Sequence, residues 1–343
     1  MGLAPFLAQR PLMVPFTMTG PTIRQHCSHD LDDHVEHLDG WQLRYEQLGR
    51  GRFEGRFAEV RLNGLQVFRE HTSQPVRQRG TLMPSTLGFA FVDAEGEIGN
   101  GAYDGHPIGP EELLCSHDGD IDLRTPPDCR LTGLVVDAAV LRAQIGDSAD
   151  ADLAALPPGR IAPLLPACSA GLRLRRGVHR VLASALDAHD GGTRLPDAAD
   201  RLELLEALAE VIRCGQVPDE TLRGRARLEL VNRTCALMLD QLHAADPQDA
   251  PTLETLARQV GTSARTLGYA FQSVLGLSPM QYLRTLRFNL VRGELRRSRQ
   301  RDSIYDIATR HGFWHFGHFS VDYRRQFGER PSDTLARVRP TDA

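Results

Sequence analysis

The 343-residue sequence contains no lysine, so arginine supplies every basic side chain other than histidine. The six cysteines are Cys27, Cys115, Cys129, Cys168, Cys214 and Cys235, and the closest pair is 14 residues apart. This spacing disfavours a disulfide framework or a zinc ribbon and predicts reduced, mostly buried thiols. No apolar run approaches the roughly 20 residues of a membrane span, and the proline-containing N-terminus is a poor signal peptide. We therefore expect a cytoplasmic protein with no membrane partner.

The sequence also lacks a nucleophile motif, a phosphate-binding loop and a dinucleotide fingerprint. A cupin enzyme would carry an H-x-H pair and further acidic and histidine ligands on its strands. Instead, His34 and His37 form an H-x-x-H pair in an acidic segment, and His71, His106 and His117 are isolated. Each is better explained as a surface or hydrogen-bonded histidine than as a ligand. We expect no catalytic residues, no cofactor and no metal.

Charge is distributed unequally along the chain. Residues 251–343 hold 15 arginines and 8 acidic residues, a net of +7, whereas residues 1–250 hold 25 and 36, a net of −11. The basic end is therefore a candidate for binding a polyanion, and the acidic end is not.

Between residues 41 and 137, short apolar runs alternate with turn signals such as Asn63-Gly64. This texture predicts a β-barrel or sandwich of the cupin-like kind. We expect residues 1–30 to be a loose lead-in and residues 31–166 to form this β-rich domain. Residues 149–166, rich in proline and alanine, are expected to be a connection.

Helical spacing replaces the strand pattern further along the chain. Residues 171–189 and 198–214 predict two amphipathic helices, which form a helical hairpin, a dimer face, or both. We assign residues 167–216 to a helical linker and dimerisation segment, and residues 217–343 to an all-α domain. The predicted fold class is α+β.

The C-terminal domain contains an internal repeat. Leu256, Ala257 and Gly261 match Ile307, Ala308 and Gly312 at an offset of 51. Leu267, Phe271, Gly276 and Pro279 match Phe319, Tyr323, Gly328 and Pro331 at an offset of 52. The same small unit is therefore predicted twice.

Each unit has the features of a helix-turn-helix. In the first, Ala257 permits close helix packing and Gly261 ends the first helix. Ser263 caps the second helix, which buries Leu267 and Phe271 at i, i+4 spacing. The corresponding positions in the second unit are Ala308, Gly312, Phe319 and Tyr323. A generic helical bundle is the alternative, but it does not explain the repeat, the cap and the basic charge together.

Residues 279–297 predict a 19-residue helix between the units. Such a helix is about 28 Å long. A helix of this length is suited to hold the second, recognition helices of the two units near one DNA turn apart, about 34 Å.

The stretch HGFWHFGHFS at residues 311–320 packs three histidines among aromatic rings. On a helical wheel, the predicted buried stripe consists of Phe316, Phe319, Tyr323 and Phe327. His315 and His318 then do not converge, and His311 precedes the turn glycine. Because zinc requires three or four converging ligands, a recognition helix is preferred to a metal site.

Residues 228–340 resemble the DNA-binding domain of the AraC/XylS family of transcription regulators. The motifs LARQVGTSARTL, SPMQYLRTLRFNLVRGEL and IATRHGFWHFGHFSVDYRRQFGERPS carry this resemblance over a third of the chain. The segment GWQLRYEQLGRGRFEGRF resembles the β-sheet effector domain of the branch that includes ethanolamine-operon regulators.

The resemblance implies that Phe316, Gly317 and Val321 approach base edges, with Arg324 and Arg325 nearer the phosphates. The family usually has polar residues at several of these positions, so base reading by the second unit is in doubt. His318 flanks this face, and His315 stands where Ser or Asp would cap better; both complete the predicted DNA-binding set.

In the first unit, the outward face is predicted to carry Arg265, Gly268, Tyr269 and Gln272. Arg265 is the candidate for reading guanine, and Gln272 for reaching adenine or a phosphate. The alternative for Arg265 is a phosphate clamp that confers no sequence specificity.

The resemblance implies a sequence-specific transcription regulator, more often an activator than a repressor. Its partners would be double-stranded promoter DNA, a small-molecule effector in the β domain, RNA polymerase if it activates, and a second copy in a homodimer. The pocket residues are not identified: Arg69, Glu70 and Arg77 are candidates, although charged strand ends are usually solvated. The alternative is a metal-dependent cupin-type enzyme fused to a DNA-binding module.

Overall fold

A computed structural model describes most of the chain. The described residues are 21–93, 101–109, 112–116, 121–146, 153, 159–161, 169–189, 191–192, 194–214, 221–244, 251–298 and 302–337. His117, Cys168, residues 1–20 of the expected lead-in and most of the expected connection at 149–166 lie outside them. None of the described helices is long and apolar enough to cross a membrane.

Twelve strands are described. They are β1 (Thr22–Ser28), β2 (Gln42–Gln47), β3 (Gly55–Leu62), β4 (Leu65–Thr72), β5 (Val76–Thr81), β6 (Thr86–Asp93), β7 (Ala102–Tyr103), β8 (His106–Pro107), β9 (Leu113–Ser116), β10 (Ile121–Arg124), β11 (Cys129–Asp137) and β12 (Gly159–Ile161). One sheet has the order β1-β3-β4-β11-β6-β9-β12 and the other β2-β5-β10-β7-β8. Apolar side chains from both sheets, among them Leu43, Phe68, Leu123 and Val135, form a common core. The predicted sandwich is confirmed.

The described helices begin with α1 (Leu31–Glu36), α2 (Ala138–Ile145), α3 (Ser169–His189), α4 (Ala198–Cys214) and α5 (Thr221–Ala244). The C-terminal series is α6 (Leu253–Gln259), α7 (Ala264–Leu275), α8 (Pro279–Arg297), α9 (Ile304–Arg310), α10 (Phe316–Phe327) and α11 (Pro331–Ala336). The predicted hairpin is α3 and α4, and the helix predicted at 279–297 is α8.

The β3–β4 hairpin shows how the local sequence sets the register. Asn63 and Gly64 form its two-residue turn, and Gly64 has φ +72°. A two-residue hairpin turn favours positive φ, which glycine adopts without steric cost. Leu62 therefore pairs with Leu65, and both lie in the core.

Three strands differ from the expectation. β1 lies in the expected lead-in, where Thr22 to Ser28 pair with Arg61 to Gly55 of β3. It is an edge strand with an irregular burial pattern, so its backbone pairing leaves little trace in the side-chain sequence. β12 likewise lies in the expected connection, and β5, with the sequence VRQRGT, lacks the apolar run on which the strand prediction depends. The predicted domain limits of 31, 167 and 217 otherwise stay predictions.

The helical hairpin covers one face of the seven-stranded sheet. Leu174, Val178 and Val181 of α3 are buried in one core with Leu204 and Leu208 of α4 and with residues of the sheet. Burying an apolar stripe in this way is what stabilises an amphipathic helix.

The C-terminal domain has two cores that share α8. Leu267 and Phe271 of α7 pack with Tyr282 at the start of α8. Phe319 of α10 packs with Phe288 further along the same helix. One continuous helix thus connects the cores of both helix-turn-helix units.

Candidate nucleic-acid interface

The first unit has the local geometry that its sequence predicts. Gly261 follows α6 with φ +74°, a conformation that disfavours residues with a Cβ. The Oγ of Ser263 accepts a hydrogen bond from the backbone N–H of Thr266 at 3.1 Å, which caps α7. Ala257, Leu267 and Phe271 are buried behind the turn.

The outer face of α7 is open to solvent. Arg265 and Gln272 are exposed, and Tyr269 is 75% exposed. A Cβ added at Gly268 would meet no atom within 4 Å. No carboxylate of the described residues pairs with Arg265, so its guanidinium is available to a polyanion.

The second unit presents a different surface. Gly312 has φ +81°, and Ala308, Phe319 and Tyr323 are buried. The exposed residues of α10 include Gly317, His318, Val321, Arg324 and Arg325, with Val321 68% exposed. His315 stands at the N-cap without a side-chain capping bond, as its residue type predicts.

Phe316 departs from the predicted helical wheel, whereas the burial of Gln326 was not predicted. Phe316 is 39% exposed rather than buried, because it lies in the first turn of α10, where its ring extends toward Tyr305 of α9. Gln326 is buried although it is polar, because its amide donates to the backbone oxygens of Gln47 and Gly49 in the β domain.

The three clustered histidines have separate surroundings. The Nε2 of His311 lies 2.6 Å from the Oε2 of Glu294, and this hydrogen bond lowers the pKa of Glu294. The rings of His315 and His318 are nearly perpendicular, with centroids 6.3 Å apart. His311 therefore binds α8 and does not converge with the other two.

The β domain docks on this domain through a buried arginine. Arg77 of β5 is fully buried and holds Asp122 with two hydrogen bonds, Nε to Oδ1 at 2.9 Å and Nη2 to Oδ2 at 2.6 Å. Across the contact it donates to Asn232 of α5 and to the Tyr282 hydroxyl of α8. Burial alone would lower the pKa of Arg77, but the Asp122 carboxylate raises it well above its usual value, so the cation persists.

Glu46 of β2 reinforces the same contact. Its Oε1 accepts from Arg79 at 2.8 Å, and its Oε2 accepts from the Tyr282 hydroxyl at 2.7 Å. Burial alone would raise its pKa, but Arg79 and the neighbouring arginines lower the pKa of Glu46 to about 2.

A second, ionic contact joins α1 to α8. Asp30 is paired with Arg292 and Arg296, and Asp32 lies 3.4 Å from the Nε of Arg296. Burial would raise the pKa of Asp30, but these arginines lower it. The Asp30 carboxylate therefore stays charged where the two domains meet, whereas burial and the neighbouring Asp30 charge raise the pKa of Asp32.

The β domain also touches equivalent ends of both recognition helices. Gly276 ends α7 and Gly328 ends α10, and both have positive φ. A Cβ at Gly276 would clash with the Arg124 guanidinium, and one at Gly328 would clash with the backbone of Arg52. The exposed face of α7 lies outside these contacts.

An apolar cavity lies between the two sheets. Aromatic residues lining it include Trp41, Phe68, Phe89 and Tyr103. The polar atoms of three lining residues are already bonded: Trp41 Nε1 to Gln66, Tyr103 hydroxyl to the Cys115 carbonyl oxygen, and Gln78 Nε2 to Glu70. The cavity therefore suits an apolar ligand.

The charged residues predicted to line a pocket lie elsewhere. Arg77 faces the C-terminal domain, and Arg69 lies beside His179 of α3. Glu70 is buried, where it accepts hydrogen bonds from the Tyr45 hydroxyl and Gln78 and lies 2.8 Å from the Nε2 of His34. The sequence carries no signal for this docking contact beyond the charged residues of β2 and β5.

Known proteins resemble this chain in its C-terminal domain. Residues 256–337 match the family described as "Helix-turn-helix domain". The probable thc operon regulatory protein of Rhodococcus erythropolis is 38% identical over 103 residues, 30% of this chain and 31% of that protein. The HTH-type transcriptional activator RhaS of Escherichia coli strain SE11 is 32% identical over 154 residues, 45% of this chain and 52% of that protein. The chain thus spans about half the length, or less, of these curated relatives.

A solved structure also aligns with this region. It is a probable AraC family transcriptional regulator from Rhodopseudomonas palustris CGA009, 31% identical, covering 33% of this chain and 99% of that chain with a TM-score of 0.29. Two tandem units on one shared helix define the class of double helix-turn-helix domains. This domain is an AraC-type helix-turn-helix domain, similar in sequence to those of the two regulators above. The likeness of the N-terminal segment to ethanolamine-operon regulators stays a prediction.

Proposed function

We propose that the chain is a regulator that binds double-stranded promoter DNA through α7 and α10 and is not an enzyme. The duplicated unit carries this proposal, together with an exposed Arg265 that no carboxylate in the described part of the chain pairs with. The first experiment is genome-wide recovery of DNA bound by the purified chain at about 0.15 M salt, since affinity depends steeply on salt. Recurrent sites upstream of an operon support the proposal, and purely diffuse binding contradicts it.

Arg265 is proposed to read a base. Arg265→Ala should then weaken binding to the recovered site by about 1–3 kcal/mol and relax its preference at one base pair. If Arg265 instead holds a phosphate, the loss is similar on any DNA, and the salt slope falls by about one. Arg56→Ala is the matched control, because Arg56 is an exposed arginine on β3, in the other domain.

The second unit is proposed to bind mainly through the backbone of DNA. Val321 has no hydrogen-bonding side chain, and Arg324 and Arg325 are exposed beside it. Arg324→Ala should weaken all DNA sequences alike. Val321→Ala should change the preference at a thymine, if the valine contacts a thymine methyl.

We further propose that a small apolar effector binds between the sheets. Successive residues of β5 face opposite sides: Gln78 lines the cavity and Arg77 reaches the C-terminal domain. A ligand that displaces β5 would therefore act directly on the docking contact. Because the face of α7 is already exposed, the effector is expected to reorient the recognition helices rather than uncover them.

Trp41 provides the assay for this site, since its ring lines the cavity. In a Trp314→Phe background, an effector should change Trp41 fluorescence and shift DNA affinity by about 1–3 kcal/mol. Leu114→Phe, which narrows the cavity, should abolish both effects. A compound that binds but leaves DNA affinity unchanged would contradict the coupling.

Activation of transcription, contact with RNA polymerase and a cytoplasmic homodimer complete the proposal. The hairpin of α3 and α4 is the proposed dimer face, because Leu172, Leu195 and Leu202 are exposed on or beside it. Sedimentation of the full chain should show a dimer, and replacing these leucines with serine should yield a monomer that still folds.

A further inference from the structure

Two histidines and an aspartate converge at the edge of the β domain, away from both recognition helices and the cavity. They are His26 on β1, Asp33 on α1 and His37 at the end of α1. One nitrogen or oxygen of each lies within 4.8 Å of the others. The His26 Nε2 lies 3.4 Å from the Asp33 Oδ2.

The imidazole rings of His26 and His37 stack on each other. Their centroids are 3.3 Å apart and the angle between their planes is 10°. The Nδ1 of His37 lies 2.8 Å from the backbone oxygen of Asp33. When this nitrogen donates to the carbonyl, the Nε2 keeps its lone pair, which is the arrangement that orients a metal-binding histidine.

We propose that His26, Asp33 and His37 bind a divalent first-row transition-metal ion, with Zn²⁺ as the probe. Imidazole and carboxylate together suit such ions, whereas Ca²⁺ and Mg²⁺ prefer oxygen ligands throughout. All three side chains are partly solvent-exposed, so water can complete the coordination. Because the two ring planes are nearly parallel, one ring must rotate before both nitrogens direct their lone pairs at one ion.

A neighbouring cation, Arg24, does not prevent this. Arg24 lies on the same face of β1, two residues before His26. Its guanidinium pairs with Asp39, and its Nε lies 3.9 Å from Glu59. The charge of Arg24 is therefore compensated before an ion arrives.

The position of the site gives the ion a structural consequence. Asp30 and Asp32 lie at the start of the same short helix and pair with Arg292 and Arg296 of α8. An ion joining His26 to Asp33 would fix α1 on β1, and with it the ionic contact between the domains. This consequence depends on the docked arrangement and not on the proposed DNA target.

The test is calorimetric titration of ZnCl₂ into the tag-free full chain after chelator treatment. We expect one ion per chain in the wild type. His26→Gln and His37→Gln should each weaken binding by about tenfold or more, since even supporting groups of a metal site contribute 10- to 100-fold. His29→Gln is the matched control, because His29 is exposed one residue beyond β1 and outside the cluster.

A second readout is the visible absorption of Co²⁺ added to the same variants. Ligand-field bands should appear with the wild type and with His29→Gln, and should be lost with His26→Gln or His37→Gln. Asp33→Asn keeps the side-chain volume but removes the carboxylate of the cluster. This variant replaces either histidine variant if that one fails to fold. Absent binding in the wild type, or equal binding in all variants, overturns the site.

Discussion

Replacing Arg77 with methionine should be among the most damaging single changes outside the apolar cores. The variant keeps most of the apolar stem but removes the guanidinium, so Asp122 loses both of its hydrogen bonds, at 2.9 and 2.6 Å. Asp122 is 7% exposed and cannot regain full hydration. Breaking a buried pair by removing one partner costs about 3–5 kcal/mol, and we expect a loss of stability in that range.

The chain's two tryptophans provide the assay. Trp41 lies in the sandwich and Trp314 beside the second recognition helix. Urea unfolding followed by fluorescence in the Trp314→Phe background reports the β domain alone. The midpoint should fall in proportion to the lost free energy, because the slope reflects the surface exposed on unfolding and should not change.

The double variant Arg77→Met/Asp122→Leu separates the charge effect from general damage. Removing both partners of a buried ion pair is often neutral or stabilising, so the double variant should be more stable than Arg77→Met alone. A loss below about 1 kcal/mol for the single variant, well under that range, refutes the reasoning. A double variant no more stable than the single one refutes it too, because the loss would then not come from leaving the Asp122 charge buried and unpaired.

Three smaller effects are expected. Gly261→Val should destabilise the C-terminal domain because φ is +74° at this residue. Gly268→Ala should stabilise the same domain by roughly 0.5–1 kcal/mol, because Gly268 lies inside a helix with open space around it. Thermal melts compare the two variants. Glu46, whose pKa falls from 4.5 to about 2, contributes stability above pH 4.5 that is lost as pH falls toward 2. That shift corresponds to roughly 3 kcal/mol, and Glu46→Gln should flatten the unfolding profile across this window. His315→Ser should stabilise α10 by about 1 kcal/mol through a new N-cap bond, measured by chemical denaturation.

The C-terminal domain was predictable because its local signals agree with one another. The glycine turn at Gly261, the cap at Ser263 and the buried pair of α7 each favour the same structure, and the repeat supplies them twice. Consistency between local and global preferences is what makes a fold readable from its sequence. The bounds of α8 were predicted for the same reason, since Ser278 and Pro279 mark its start.

For the β domain, the fold class was predictable from the sequence, but the individual strands were not all predictable. An edge strand such as β1 is held by backbone pairing, which carries no side-chain pattern. The candidate metal site was missed for a related reason. His26 and His37 are 11 residues apart on different elements, so only the pairing of β1 with β3 and the packing of α1 bring them together.

The docking contact shows that a charged residue within a strand does not by itself indicate a ligand pocket. Arg77 was a candidate for lining a ligand pocket, but its ion pair with Asp122 and its hydrogen bonds to the C-terminal domain account for a charged residue in this strand. The two cases differ only in what covers the outer face of the five-stranded sheet, and that is decided by tertiary packing of α5 and α8. Because Arg124 and Arg52 of the same domain meet the equivalent glycines Gly276 and Gly328, a shift of the β domain must act on both recognition helices at once.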